Sequence, residues 1–283
     1  MAEAESRFVA NTYAYIQSLS FTECLERLAR RGFRDFEVMM YPGHLWPAET
    51  DGAARRARRR WLKESGFEIV TLNMPNLDLN LAAATREMRD YTLGVLQSIV
   101  ELAADLGARG VVIGPGKVSE LFPEPTERLL PRFYAALDAL QPRARALGVE
   151  LVVENMPFAF LPRLAPLMAA IDGYGWDGLS LLYDVANGHY IGEDLASALR
   201  QAGSRLRLVH VSDTGRDQYR HGPIGSGSVP FAGVPPVLEE IQYRGPVVLE
   251  IISGDPDEDM AKAAQELAAM GWRRSSESAC GSR

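Results

Sequence analysis

Short runs of consecutive apolar residues alternate along the chain with longer stretches in which apolar residues recur every third or fourth position. The short runs are Phe8–Tyr13, Phe33–Met39, Phe67–Asn73, Gly110–Ile113, Val149–Glu154, Leu179–Asp184, Leu206–Ser212 and Val247–Ile251. Each is mostly continuous rather than alternating, the pattern of a parallel strand covered on both faces. Thr85–Leu106 spaces Met88, Thr92, Val95, Ile99, Leu102 and Leu106 along one stripe, and Glu127–Leu147 does the same with Leu130, Phe133, Leu137 and Leu140. Both predict amphipathic helices. Gly32, Gly66, Gly107 and Gly148 each fall between a helical stretch and the next strand, where glycine suits a left-handed C-cap. Eight such units predict a single-domain α/β fold, a (β/α)8 TIM barrel over residues 8–272, with a short head at 1–7 and a polar, frayed tail at 273–283. An open doubly wound sheet is the alternative, but no G-x-G-x-x-G follows the first strand.

In such a barrel the active site lies at the C-terminal ends of the strands. Four successive apolar strands end in polar residues there: Glu154 with Asn155, Asp184 with Asn187, His210 with Asp213, and Glu250. A carboxylate in an apolar strand is costly unless it is paired or holds a metal. Three carboxylates and one imidazole converging on one mouth repel one another without a cation. The oxygen-rich set favours Mn2+ or Mg2+, and Co2+ and Zn2+ also fit it. Asn11, Tyr13, Glu37 and Asn73 end the first three strands and are candidates to hydrogen-bond a polyol, with backbone pairing as the plainer reading. Asp213 is a candidate partner that orients His210 or Arg216.

These ligands and their strand positions resemble the xylose isomerase-like TIM-barrel superfamily, nearest to its sugar-phosphate isomerase/epimerase group. That group includes ketose 3-epimerases, hydroxypyruvate isomerase and inosose dehydratase. The likeness runs from Ala10-Asn11 to about Gly271. It is most specific at Val153-Glu154-Asn155, Asp184, His210-Val211-Ser212-Asp213, Leu249-Glu250 and the segment from Arg220-His221 to Gly227.

The resemblance implies one divalent metal on Glu154, Asp184, His210 and Glu250. It implies an isomerase or epimerase that moves a proton through a metal-stabilised enediolate of a small sugar, keto acid or cyclitol. Glu154 and Glu250 are the expected proton-transfer groups, because each can bind metal through one oxygen and move a proton with the other. Asn187 stands where the epimerases place a substrate-contacting histidine, with His189 two residues on as a substitute. Arg216 and His221 are further expected substrate contacts. An inosose dehydratase-type lyase on the same metal is the alternative, and a non-catalytic sugar-binding barrel is disfavoured by the intact ligand set. Apurinic-site endonucleases of the superfamily need more histidines than this chain supplies. No histidine ends strand four, and Tyr219 replaces an expected Asp two residues before His221. The Gly225/Gly227 loop is the one candidate for a substrate phosphate.

Composition narrows the setting. The chain of 283 residues is 47% hydrophobic and 24% charged, with a net charge of −7. It has no apolar stretch of membrane-spanning length. Its acidity speaks against bulk nucleic-acid binding, and the family resemblance allows a homo-oligomer. Five arginines between Arg55 and Arg60 fall on one helix, read as a solvated outer face opposite Ala54, Ala57, Trp61 and Leu62. Cys24 and Cys280 sit at opposite ends, so no disulfide framework is expected and the reducing cytoplasm is the expected location.

Overall fold

The computed structural model describes residues 8–74 and 78–272; the predicted head, the tail and Cys280 lie outside the described residues. Eight strands close into a barrel in sequence order. They are β1 (Val9–Asn11), β2 (Asp35–Met39), β3 (Glu68–Asn73), β4 (Gly110–Ile113), β5 (Glu150–Glu154), β6 (Leu179–Asp184), β7 (Leu206–Val211) and β8 (Val247–Leu249). Every neighbouring pair is parallel, and β8 returns to β1. The helices are α1 (Phe21–Ala29), α2 (Gly52–Ser65), α3 (Arg86–Leu106), α4 (Thr126–Leu147), α5 (Leu164–Tyr174), α6 (Val185–Tyr190), α7 (Leu195–Ala202), α8 (Val234–Glu240) and α9 (Pro256–Ala269). This is the single (β/α)8 barrel that the alternating pattern predicts.

Val9, Val70, Val112, Val152, Leu182, Leu208 and Val248 form an apolar cluster of their own, separate from the main core. They come from β1 and from β3 to β8 and still touch, so they plug the barrel's interior. Side chains alternate along a strand, and the residue two further on points the same way. Asn11, Glu154, Asp184, His210 and Glu250 each follow one of these plug residues by two positions. The polar ring is therefore the next layer up, at the mouth. The main core packs the outer strand faces against the helices, with Phe36, Leu72, Val111, Leu102 and Phe133 all buried.

Several local expectations shift. Strand one stops at Asn11, because the Asn11 Oδ1 accepts the Tyr13 N–H at 2.7 Å and turns the chain into a short 3-10 segment. Gly66, Gly107 and Gly148 cap α2, α3 and α4 in the left-handed conformation as expected. Gly32 also has positive φ, but α1 has already ended at Ala29 with Arg30 as its cap. Met88 is 39% exposed, and its neighbours in the first turn of α3 are exposed too. On α2, Ala57 faces solvent while Arg55 and Arg59 turn inward to tie the helix to α3. Arg55 Nη1 meets Asp105 at 2.9 Å, and Arg59 Nη1 donates to the Leu106 carbonyl at 2.7 Å. Among the described residues no helix is long and apolar enough to cross a membrane.

Candidate active site

Glu154, Asp184, His210 and Glu250 converge at the barrel mouth. One ligand atom from each lies within 4.8 Å of all the others, and all four residues are buried. His210 turns Nδ1 toward the cluster, 3.2 Å from Glu250 Oε2, 3.8 Å from Asp184 Oδ2 and 3.9 Å from Glu154 Oε1. Asp184 ends β6 and caps α6 at once. Its Oδ1 accepts the Asn187 N–H at 2.9 Å, which fixes the carboxylate and leaves Oδ2 for the cluster. That Oδ2 is buried without a hydrogen-bond partner. Asn155 pins the same strand end: its Oδ1 accepts the Asp184 N–H at 2.7 Å and its Nδ2 donates to the Asp184 carbonyl at 3.1 Å.

The electrostatics of this set are frustrated. Burial pushes the Glu154 carboxyl well above its ordinary range, and Glu250, Asp184 and Glu37 push it further than His210 can offset. Burial, with Glu250, likewise raises Asp184 against the pull of His221 and His210. For Glu250 burial also acts upward, but the His221 and His210 imidazoles outweigh it and hold the group low. Burial opposes a charge on His210, yet Glu37 and Glu250 raise it well above the ordinary imidazole value. Three buried carboxylates with one unpartnered oxygen form a donor set that a single divalent cation satisfies. The residues present therefore fit one metal ion.

The other predicted residues divide by place. Asn187 and His221 join the cluster. Asn187 Nδ2 donates to Glu154 Oε1 at 3.1 Å, and His221 Nδ1 lies 3.3 Å from Glu250 Oε2. Asn11 Nδ2 reaches Glu250 Oε1 at 3.4 Å and Glu37 Oε1 at 2.7 Å. Glu37, expected to meet a polyol, is fully buried beside Asn11 and His210. Its carboxylate accepts from Thr71 Oγ1 at 2.6 Å and Asn73 Nδ2 at 3.2 Å, and lies 2.9 Å from His210 Nε2. Asn73 is thereby occupied with Glu37 as well.

Asp213, expected beside His210 or Arg216, anchors a loop instead. Its Oδ1 accepts the N–H groups of Thr214 and Val229, and its Oδ2 those of Gly225 and Gly227, at 2.8–3.1 Å. A Cβ at Gly227 would collide with the Thr214 carbonyl and this carboxylate, so glycine is needed for the close approach. The Gly225/Gly227 N–H groups are thus spent on Asp213, not left for a phosphate. Arg216 is exposed, with its guanidinium beside Gly192. His189 Nε2 pairs with Ser228 Oγ at 2.8 Å rather than taking the vacant histidine role. His44 ties loops together through the Leu19 carbonyl and Thr12.

Tyr219 is the participant the sequence reading missed as such, having noted it only as a replaced Asp. Its hydroxyl donates to Asn187 Oδ1 at 2.7 Å and lies 2.8 Å from His221 Nε2. The signal was available in the Tyr-x-His spacing, since alternate residues of an extended segment face one way. Beside Tyr219 opens a cavity of about 240 Å³, lined by Met74, Leu79, Leu81, Met156 and Phe158 together with Asn80 and Lys117.

The chain belongs to the xylose isomerase-like TIM barrel family, whose model matches residues 25–270. It is 25% identical to the L-ribulose 3-epimerase of Mesorhizobium japonicum over 266 residues, 91% of this chain and 85% of that one. A solved L-ribulose 3-epimerase superposes with a TM-score of 0.80 at 22% identity, covering 94% of each chain. The IolI protein crystallised with a bound zinc atom gives a TM-score of 0.80 at 16% identity, over 96% of this chain and 100% of that one. Relatives and fold together make this chain an enzyme of the isomerase class.

Proposed function

We propose that this enzyme epimerises a free 2-ketose at C3, using one divalent cation held by Glu154, Asp184, His210 and Glu250. The observation that carries the reading is that the end of β5 and the residue just after β8 bring two carboxylates, Glu154 and Glu250, into one buried cluster able to hold a metal ion. A bound cation supplies the positive charge that polarises the C2 carbonyl and acidifies the neighbouring C3–H. Of the two glutamates, one takes the C3 proton and the other returns a proton to the opposite face of the planar enediolate. Asp184 and His210 hold the site, and Asn187 and His221 steady the two glutamates. Mn2+ is the favoured ion for three carboxylates and one imidazole.

An unphosphorylated substrate is favoured by two features. The glycine loop donates its N–H groups to Asp213, and the adjoining cavity is walled mainly by apolar side chains. A buried free thiol at Cys24 suits a reducing cytoplasm. The test is a panel of pentuloses, hexuloses, hydroxypyruvate and inososes incubated with Mn2+ and analysed by NMR and mass spectrometry. The expected product is the C3 epimer of a ketose at unchanged mass. A product lighter by one water replaces the epimerase reading with the dehydratase one.

A further inference from the structure

The two glutamates are joined by a chain of side chains running across the site. Asn187 Nδ2 faces two acceptors, Glu154 Oε1 at 3.1 Å and the Asn155 carbonyl at 2.9 Å. That fixes the orientation of its amide, so Oδ1 faces Tyr219 and accepts the phenol proton at 2.7 Å. The Tyr219 oxygen is then left to accept from His221 Nε2, 2.8 Å away. The other ring nitrogen of His221 lies 3.0 Å from Ser212 Oγ and 3.3 Å from Glu250 Oε2. Glu154, Asn187, Tyr219, His221 and Glu250 therefore form one continuous run of contacts with Tyr219 at its centre.

The tyrosine ring is itself clamped. It packs edge-on against Phe158, with centroids 5.4 Å apart and planes at 88°, and against His221 at 5.2 Å and 83°. Tyr190 closes a third side at 5.1 Å. Asn187 and Tyr190 are three residues apart on α6 and so share a face, and α6 begins at the ligand Asp184. One short helix thus delivers a metal-site carboxylate, the amide bonded to Tyr219 and the ring that packs on it. Edge-to-face packing holds an aromatic ring in one orientation, and a hydroxyl fixed this way holds its two partners at a set separation.

We infer that Tyr219 is a positioning residue, a neutral bridge whose hydroxyl sets the spacing of Glu154 and Glu250 by holding Asn187 and His221 between them. Like-charged carboxylates brought to one cation site spread apart unless something fixes them, and groups that orient metal ligands are commonly worth about 10–100-fold in affinity or activity. This role rests on the epimerase reading only for its catalytic consequence. Its consequence for the metal site stands separately.

The experiment is a calorimetric titration of the purified protein with MnCl2, comparing wild type with Tyr219→Phe, which keeps the ring and removes the hydroxyl. Tyr174→Phe serves as a control, because that hydroxyl bonds Asp138 and Gln141 on the outer helices. Tyr219→Phe is expected to weaken Mn2+ binding by about tenfold or more, while Tyr174→Phe shifts only the thermal midpoint. Should Tyr219→Phe fail to fold, Tyr219→Leu keeps the apolar contact with Phe158 and reads the same quantity. Mn2+ affinity within about twofold of wild type, or an equal loss in Tyr174→Phe, overturns the proposal. With a ketose that the wild type turns over in D2O, Tyr219→Phe is also expected to raise deuterium in recovered substrate relative to inverted product, because misaligned glutamates return the proton to the same face. An unchanged ratio overturns the catalytic half. If wild type inverts no ketose, the functional reading falls and the Mn2+ titration still decides the bridge.

Discussion

His210 Nε2 stands 2.9 Å from Glu37 Oε1, with both side chains fully buried. The contact acts through charge: against burial, Glu37 raises the imidazole whose Nδ1 faces the cluster, and a carboxylate behind a ligating histidine makes it a better donor. Glu37→Gln keeps the volume and removes the charge. It is expected to weaken Mn2+ binding by about 10–100-fold with the fold retained, measured by titration calorimetry alongside circular dichroism. Unchanged affinity contradicts this role.

Asp213 organises the segment that carries Tyr219 and His221. Its two oxygens accept four backbone N–H groups, and the Asp213 and Gly222 backbones pair with each other at 2.8 and 2.9 Å. Asp213→Asn turns an amide group toward donors on one side. The expected cost is about 1–3 kcal/mol, together with faster proteolytic cleavage between residues 214 and 229. An unchanged cleavage rate counts against the anchor.

Metal binding is expected to depend on pH with a definite sign. Burial, reinforced by neighbouring carboxylates, raises Glu154 and Asp184, while Glu37 and Glu250 raise His210. In the metal-free protein these groups keep protons to higher pH than usual, and a cation has to displace them. Mn2+ affinity therefore rises from about pH 6 to about pH 8, with protons released on binding. Calorimetry in two buffers of different ionisation enthalpy measures both, and flat affinity with no proton release contradicts it.

Asp257 gives a stability test remote from the site. Burial pushes its carboxyl up, but hydrogen bonds from Tyr15 and Arg27, both at 2.6 Å, outweigh this and lower it. A folded value below the unfolded one of about 3.9 means the stabilisation is complete above the unfolded value. It is lost as pH falls through the folded one. Asp257→Asn is thus expected to lower the urea midpoint at neutral pH and to converge on wild type in acid. A gap that persists in acid rejects the linkage.

The barrel was legible because continuous apolar runs and their helical partners leave little choice of fold. The cluster of Glu154, Asp184, His210 and Glu250 was legible because each is a polar residue at or just past the end of an otherwise apolar strand; in the structure each sits two positions beyond a plug residue. The partners of Glu37 were not legible: its carboxylate meets Asn11, Thr71, Asn73 and His210, the last contributed by a strand far along the chain. Asp213 and Tyr219 lie in or beside a loop without periodicity, where partners depend on the path of the backbone. The extra helix α6 stayed unread because it starts directly after Asp184, the residue that ends β6 and caps the helix.

The central claim is that one cation at the Glu154, Asp184, His210 and Glu250 cluster supports proton transfer at C3 by two glutamates. It is tested most directly by incubating the Mn2+-loaded protein, its metal content measured, with L-ribulose and a panel of other 2-ketoses in D2O. The account predicts one metal ion per chain and a C3 epimer carrying one deuterium at C3. It also predicts a loss of about 100-fold or more in turnover for each of Glu154→Gln and Glu250→Gln. No bound metal, no deuterium at C3 of any ketose, or wild-type turnover in either variant contradicts it.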